Sequence, residues 1–110
     1  MDIEMKLVRS MLVVKLKGEI DMLVAEKLRK EIDKKLEDHS INKLIINLEK
    51  VSFIDSSGLG VIIGRYKKIT SQKGKMYIVG AKPSVEKILV FSGINKLVPI
   101  YSTEQDIVNI

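Results

Sequence analysis

The sequence predicts a single α/β domain over residues 1–110, with a mostly parallel sheet. Three observations support this prediction. Strand-like and helix-like segments alternate along the chain in the order ββαβαβαβα, and the apolar period changes from two to about four after residue 20. The 110 residues are 45% apolar and 30% charged, which suits one domain with its own core. In this order the parallel strands are joined by right-handed crossovers, and the first strand is the antiparallel exception.

The first third of the chain shows both periods. Apolar and polar residues alternate through residues 3–7 and again through 12–16, which predicts two antiparallel strands. From Asp21 to about Asp38 the apolar residues recur every four positions with charges between them. This pattern predicts an amphipathic helix, and Asp21 suits its N-cap because a carboxylate accepts hydrogen bonds from free backbone N–H groups.

The rest of the chain continues the alternation. The predicted elements are a strand at 43–48, a helix from about Ser57 to Ser71, a strand at 76–79, a helix from Pro83 to before Gly93, a strand at 97–100 and a short helix after a capping-box pattern at 102–105. The second helix is expected to bury Leu59, Ile62, Ile63, Tyr66 and Ile69. Pro99 cannot donate a ladder hydrogen bond, so the last strand is expected at a sheet edge.

The sequence lacks the common catalytic and cofactor motifs. It has no cysteine, no Walker loop and no Gly-x-Ser-x-Gly elbow, and its only histidine is His39, which is expected in a solvated loop. The glycines of 58–64 are spaced one residue too widely for a dinucleotide loop. We therefore expect a protein that is not an enzyme and that binds neither a metal nor a cofactor.

The net charge of +5 raises the question of nucleic-acid binding. Oppositely charged residues four apart, Glu26 with Lys30 and Glu31 with Lys35, instead predict a mixed, solvated helix face. The three tyrosines form no stacking row beside a basic stripe. Further basic residues are expected away from the candidate site, at Arg65, Lys67, Lys68, Lys73 and Lys75. Direct nucleic-acid binding is therefore not expected.

The composition also bears on the compartment. Acidic residues occupy the positions where a signal peptide would be basic, and no apolar run approaches the ~20 residues of a membrane span. The absence of cysteine fits a reducing compartment. A cytoplasmic protein without membrane association is the expectation.

The predicted topology brings polar residues to one edge of the sheet. Loops at 18–21, 49–58 and 80–84 follow parallel strands, and ligands or partners commonly meet that end of an open α/β sheet. Asp21 and Asp55 are therefore expected together, beside Ser56 and Ser57. The residue types leave three interpretations open: ordinary N-caps, a hydroxyl that accepts a phosphate at a helix N-terminus, or an acid–base pair of a hydrolase.

A motif match adds a functional expectation. The run Asp55-Ser56-Ser57-Gly58-Leu59-Gly60-Val61, followed by residues 64–67, resembles the bacterial anti-sigma-factor antagonists of the STAS domain family, and most closely those of the sigma-F pathway of sporulation. Residues 18–21 and 92–93 extend the resemblance over essentially the whole chain. The resemblance implies a STAS-type fold.

The resemblance implies partner switching in transcription regulation. The unmodified protein would bind an anti-sigma factor that is also a serine kinase, releasing the sigma factor, and phosphorylation would end binding until a serine phosphatase reverses it. The motif match makes Ser56 the phosphoacceptor, with Ser57 as the alternative, and gives the partner-binding residues as Asp21, Asp55, Ser56, Ser57, Gly58, Leu59 and Gly60. Gly58 and Gly60 would let a partner backbone approach the helix. The alternatives are a STAS module that senses a small ligand or nucleotide, a nucleic-acid binder and a hydrolase.

Overall fold

The computed structural model describes residues 2–108 and 110. Five strands form one sheet in the order β1-β2-β3-β4-β5. The strands are β1 (Asp2–Val8), β2 (Met11–Ile20), β3 (Lys43–Ile54), β4 (Lys75–Val79) and β5 (Ile100–Tyr101), and the helices are α1 (Met22–Leu36), α2 (Ser56–Ser71), α3 (Pro83–Ser92) and α4 (Glu104–Val108). A 3₁₀ turn, Ile94–Lys96, precedes β5. β1 is antiparallel to β2 and the other pairings are parallel, which confirms the predicted fold class.

Helices cover the two faces of the sheet unequally. Strands β2 to β5 follow chain order across the sheet, so the crossovers run in one direction and place α1, α2 and α3 on one face. Alternate residues of β2 show the two layers: Leu12 and Val14 belong to the main core under these helices, whereas Val13 belongs to a smaller cluster with Ile107 of α4. The main core therefore supports the starts of α1 and α2.

Strand β3 continues to Ile54, whereas the sequence predicted a strand that ends at Leu48. Exposed Glu49 and Lys50 interrupt the apolar run, but Val51 and Ile54 are buried again and the strand continues. Its partner β2 follows it with two register irregularities, the second at Gly18, whose φ of 107° suits glycine. Two of the three predicted loops are consequently strand for most of their length.

Helix α2 begins at Ser56, one residue earlier than predicted, and its buried side differs from the expected one. The buried residues are Gly58, Val61, Ile62, Arg65 and Ile69. Ile62 and Ile69 are buried as predicted, whereas Leu59, Ile63 and Tyr66 pack against the core but are only partly buried. Apolarity alone predicted this face only in part, because a glycine and an arginine occupy two of its buried positions.

The C-terminal segment confirms some predictions and corrects others. α3 starts at Pro83 and ends at Ser92, and Gly93 caps it with a φ of 84°, as expected. The edge strand β5 is only two residues long and follows Pro99, whereas the predicted strand spanned 97–100. The capping box lies at 103–106 and not at 102–105: Thr103 and Asp106 each donate a backbone N–H to the other's side chain, at 3.2 and 3.4 Å.

Candidate functional site

Strands β2 and β3 end side by side. Ile20 and Ile54 are paired across the two strands, and the backbone N–H of Asp55 donates to the carbonyl of Ile20 at 3.2 Å. Asp21 and Asp55 therefore follow adjacent strand ends, which confirms their predicted juxtaposition. We call the edge formed by residues 21–23 and 55–60 the rim.

Each aspartate of the rim caps a helix. Oδ1 of Asp21 accepts the N–H of Val24 at 3.0 Å, and Oδ1 of Asp55 accepts the N–H of Gly58 at 3.1 Å. Their backbone angles are nearly identical, with φ/ψ of −98/−173° and −97/−175°. Both carboxylates thus satisfy backbone donors of the first helical turn. Asp21 and Asp55 therefore each stabilise the start of a helix, and no hydrogen bond joins one carboxylate to the other.

The two serines of the rim differ in exposure. Ser56 is the first residue of α2 and is exposed, whereas Ser57 is partly buried. At a helix start, the first N–H groups lack intrahelical acceptors, and the positive end of the helix dipole favours an anion. Of the two hydroxyls, that of Ser56 is therefore the more accessible to another protein.

The two glycines of the rim have different surroundings. A Cβ on Gly58 would lie 2.6 Å from Cγ1 of Ile54 and 2.8 Å from Cγ2 of Ile20, so this buried glycine allows α2 to start close against both strand ends. Gly60 is exposed, and a Cβ there would meet nothing within 4 Å. The close approach that Gly58 permits is to the protein's own core, and only Gly60 presents open space.

Exposed apolar side chains flank the capped helix starts, and the sequence reasoning did not identify them. Met22 and Leu23 open α1 with 69% and 80% of their surface exposed, and Phe53 near the end of β3 is 45% exposed. Their signal is present in the sequence, because Met22 and Leu23 lie outside the four-residue period of the buried face of α1. Adjacent exposed apolar residues at a polar edge are typical of protein-binding surfaces.

The third predicted loop does not reach the rim. Ile78 of β4 pairs with Ile46 of β3, and β4 ends one residue later, at Val79. The next residue, Gly80, lies against Glu49 of β3. Glu49 lies five residues before Ile54, where β3 ends. The extra length of β3 therefore separates the 80–84 loop from the rim, which consists of the first two loops alone.

An ion pair joins α1 to α2 behind the rim. Nε of Arg65 lies 2.9 Å from Oδ1 of Asp33, a close charge contact that is not aligned as a hydrogen bond, and Nη1 of Arg65 has no hydrogen-bond partner among the described residues. Burial lowers the pKa of Arg65, and the charge of Asp33 opposes this shift. Arg65, expected on the surface away from the rim, is thus a buried link between the helices.

The remaining candidates lie apart from the rim. His39 is exposed in the turn after α1, as predicted. Within residues 2–108 and 110, no group of three or more metal-ligating side chains comes together. In the same residues, no helix combines the length and apolarity needed to cross a bilayer.

The fold and the rim define a class: a small α/β domain that displays two aspartate-capped helix starts, a free serine and apolar side chains at one sheet edge. Comparison with known proteins identifies the family. The STAS domain model matches residues 2–107, and the chain belongs to the STAS domain family.

The relatives of this chain have regulatory names. The chain is 38% identical over 104 residues to an anti-sigma F factor antagonist of Paenibacillus polymyxa, covering 94% of this chain and 89% of that one. It is similar to the structure of the anti-sigma factor antagonist SpoIIAA in its unphosphorylated form, with a TM-score of 0.87, 28% identity and coverage of 98% and 94%. It is also similar to the Bacillus cell fate determinant SpoIIAA in the phosphorylated form, with a TM-score of 0.79, 27% identity and coverage of 98% and 97%. The resemblance predicted from the sequence is confirmed.

Proposed function

We propose that this protein is an anti-sigma-factor antagonist whose rim binds an anti-sigma factor with serine kinase activity, and that phosphorylation of Ser56 ends the binding. The observation that carries the proposal is the position of Ser56, exposed at the first turn of α2 beside Asp55. The names of the relatives support the class of partner, and the phosphorylated form of one structural neighbour supports phosphate as the switch.

The environment of the two serines favours Ser56 over Ser57. A kinase must reach the hydroxyl with the γ-phosphate of ATP, and Ser56 is exposed whereas Ser57 is partly buried. A phosphate on Ser56 would lie at the positive end of α2, where the fold tolerates it. The modification can therefore act on the partner without unfolding the antagonist.

Charge and bulk at this position are sufficient for a switch. A phosphoserine adds about −1.5 to −2 charges at neutral pH, next to the carboxylate of Asp55. A hundredfold loss of affinity needs about 3 kcal/mol, and desolvation or repulsion of two added charges in a packed interface can supply it. No rearrangement of the helices is required.

The apolar residues of the rim supply the attractive part of the interface. The Asp21 cap fixes the backbone of Met22 and Leu23 at the start of α1, so little backbone freedom is lost when a partner covers them. Asp21 itself is exposed and can contact a basic group of the partner. Gly60 leaves room on α2 for a close approach of the partner.

The proposed function includes a compartment, two enzyme partners and a regulatory pathway. The protein acts in the cytoplasm by binding and not by catalysis, the kinase supplies the phosphoryl transfer, and a serine phosphatase restores the active form. Because the relative named for sigma F is 38% identical, the sigma-F pathway of sporulation is the proposed context.

Mapping the phosphate tests the acceptor. The protein is incubated with its anti-sigma kinase and ATP, and intact mass and peptide mass spectrometry are recorded for the wild type, Ser56→Ala and Ser57→Ala. We expect one phosphate on the wild type and on Ser57→Ala, and none on Ser56→Ala. Stoichiometric phosphorylation of Ser56→Ala would contradict the assignment.

Substitution of Leu23 tests the docking surface. Leu23→Ala should weaken binding of the unmodified protein to the kinase by about tenfold, because a mostly exposed leucine contributes only when a partner buries it. Its free energy of unfolding should change by less than about 0.5 kcal/mol. Phe91→Ala, at a 96% exposed position on α3, is the matched control and should leave the affinity unchanged.

A further inference from the structure

Strand β1 forms one edge of the sheet. It pairs with β2 on one side, and no other described strand pairs with its outer side. Seven residues, Asp2–Val8, present this edge, and Leu7 is 54% exposed. Long open edges can pair with a further strand, and natural proteins usually prevent this with charged side chains that repel an incoming copy.

The hydrogen-bonding groups of the free edge follow from the hairpin. Arg9 and Ser10 form a two-residue loop, with Arg9 at φ 57°, so Val8 and Met11 form the hydrogen-bonded pair that closes it. Alternate residues of β1 then bond to β2. The N–H and C=O groups of Ile3, Met5 and Leu7 consequently point towards the open side.

The sequence of β1 is complementary to itself in one antiparallel register. With a two-fold axis at Met5, Ile3 lies opposite Leu7 of a second copy and Glu4 lies opposite Lys6. The residues whose backbone groups point outwards then face one another, which is the arrangement that an antiparallel ladder requires. The charges that would normally protect the edge are paired and do not repel.

Neighbouring registers are disfavoured by the same residues. A shift by one residue places outward-bonding groups opposite groups already bonded to β2. A shift by two places the axis at Glu4 or at Lys6, so that two like charges lie directly opposite. Of these registers, the one centred on Met5 satisfies both hydrogen bonding and charge.

We propose that β1 is an association surface for a second copy of this chain, in which the two β1 strands pair antiparallel about Met5 and extend the sheet across a two-fold axis. A contact of this kind is self-complementary, as closed dimers require. The contact involves one seven-residue strand from each copy, so we expect the dimer to form at high protein concentration. The proposal does not depend on the rim or on phosphorylation.

Complementary charge reversal tests the register. Sedimentation equilibrium of the full chain, carried to millimolar concentration, is measured for the wild type, Glu4→Lys, Lys6→Glu and an equimolar mixture of the two variants. Each single reversal places like charges opposite each other twice and should weaken dimerisation by at least about tenfold. In the mixture every facing pair is again opposite in charge, so dimers should return as heterodimers.

Matched controls separate this effect from a change in net charge. Glu86→Lys and Lys67→Glu are exposed reversals on α3 and α2, away from β1, and they should dimerise like the wild type. Circular dichroism should show each variant folded. A wild type that stays monomeric at millimolar concentration would overturn the proposal, as would a dimer that the reversals leave intact or a mixture that fails to associate.

Discussion

Helices α1 and α2 start in the same way but present different chemistry. Both follow paired strand ends and are capped by an aspartate with the same backbone conformation. The first turn of α1 carries exposed Met22 and Leu23, whereas that of α2 carries Ser56 and Ser57. The same type of cap orders both helix starts, and the residues that follow each cap determine the chemistry that its surface presents.

The two helix starts therefore have different proposed roles: the start of α1 provides apolar contacts, and the start of α2 carries the phosphoacceptor. In the proposed switch, the apolar side chains on α1 contribute affinity in either state of the protein, whereas the hydroxyl of Ser56 on α2 contributes little until it is phosphorylated. Because the two helix starts are adjacent, a phosphate on Ser56 would, under this proposal, oppose binding while the apolar side chains of α1 stay in place. The variants below test what holds the two surfaces in place, from the largest expected effect to the smallest.

The Asp33–Arg65 pair should contribute most to the link between the helices. Asp33→Asn leaves the buried guanidinium of Arg65 without its counter-charge, and we expect the free energy of unfolding to fall by about 2–3 kcal/mol. Arg65→Met should cost less, because Arg29 and Lys68 still lie near Asp33 at 3.8 and 3.7 Å. Urea denaturation measures both, and equal costs would contradict this order.

Gly58 should be the next most sensitive position. Gly58→Ala forces a Cβ against Ile54 and Ile20, and overpacking of this kind costs about 1–3 kcal/mol. Gly60→Ala is the control on the same helix: it faces open space and should stabilise the protein by about 0.5–1 kcal/mol. A Gly58→Ala protein as stable as the wild type would show that the strand ends can move away from α2.

The two caps should have smaller and similar effects. Asp21→Ala and Asp55→Ala each remove one side-chain acceptor at a helix start and should lower the free energy of unfolding by about 1 kcal/mol. Asp55→Asn keeps an acceptor and should be nearly neutral for stability. If Asp55→Asn lowers the stability to thermal unfolding as much as Asp55→Ala does, then the charge of Asp55, and not its capping hydrogen bond, stabilises the start of α2.

Local rules predicted most of the fold. The change of period located β1, β2 and α1, and proline and glycine located both ends of α3, because these signals depend on neighbouring residues only. The predicted end of β3 was wrong. The charged pair at 49–50 is typical of a loop, but pairing with β2 keeps this segment extended. The buried face of α2 was predicted only in part, because Arg65 is buried against its partner Asp33 on α1, a contact between residues distant in sequence.

The candidate site was predicted in position but not in composition. Chain order alone placed Asp21 beside Asp55, since parallel strands end at one edge. The exposure of Met22 and Leu23 needed the orientation of α1, and the internal reason for Gly58 needed the distance to Ile20 and Ile54. The role of Ser56 came from a motif resemblance and remains a proposal.

The most direct measurement compares the affinity of the anti-sigma kinase for two forms of this protein. Unmodified protein and protein fully phosphorylated on Ser56 are titrated by calorimetry under the same conditions. The account predicts at least about a hundredfold weaker binding of the phosphorylated form, with an unchanged circular dichroism spectrum. Equal affinities, or a loss of affinity that accompanies unfolding of α2, would contradict it.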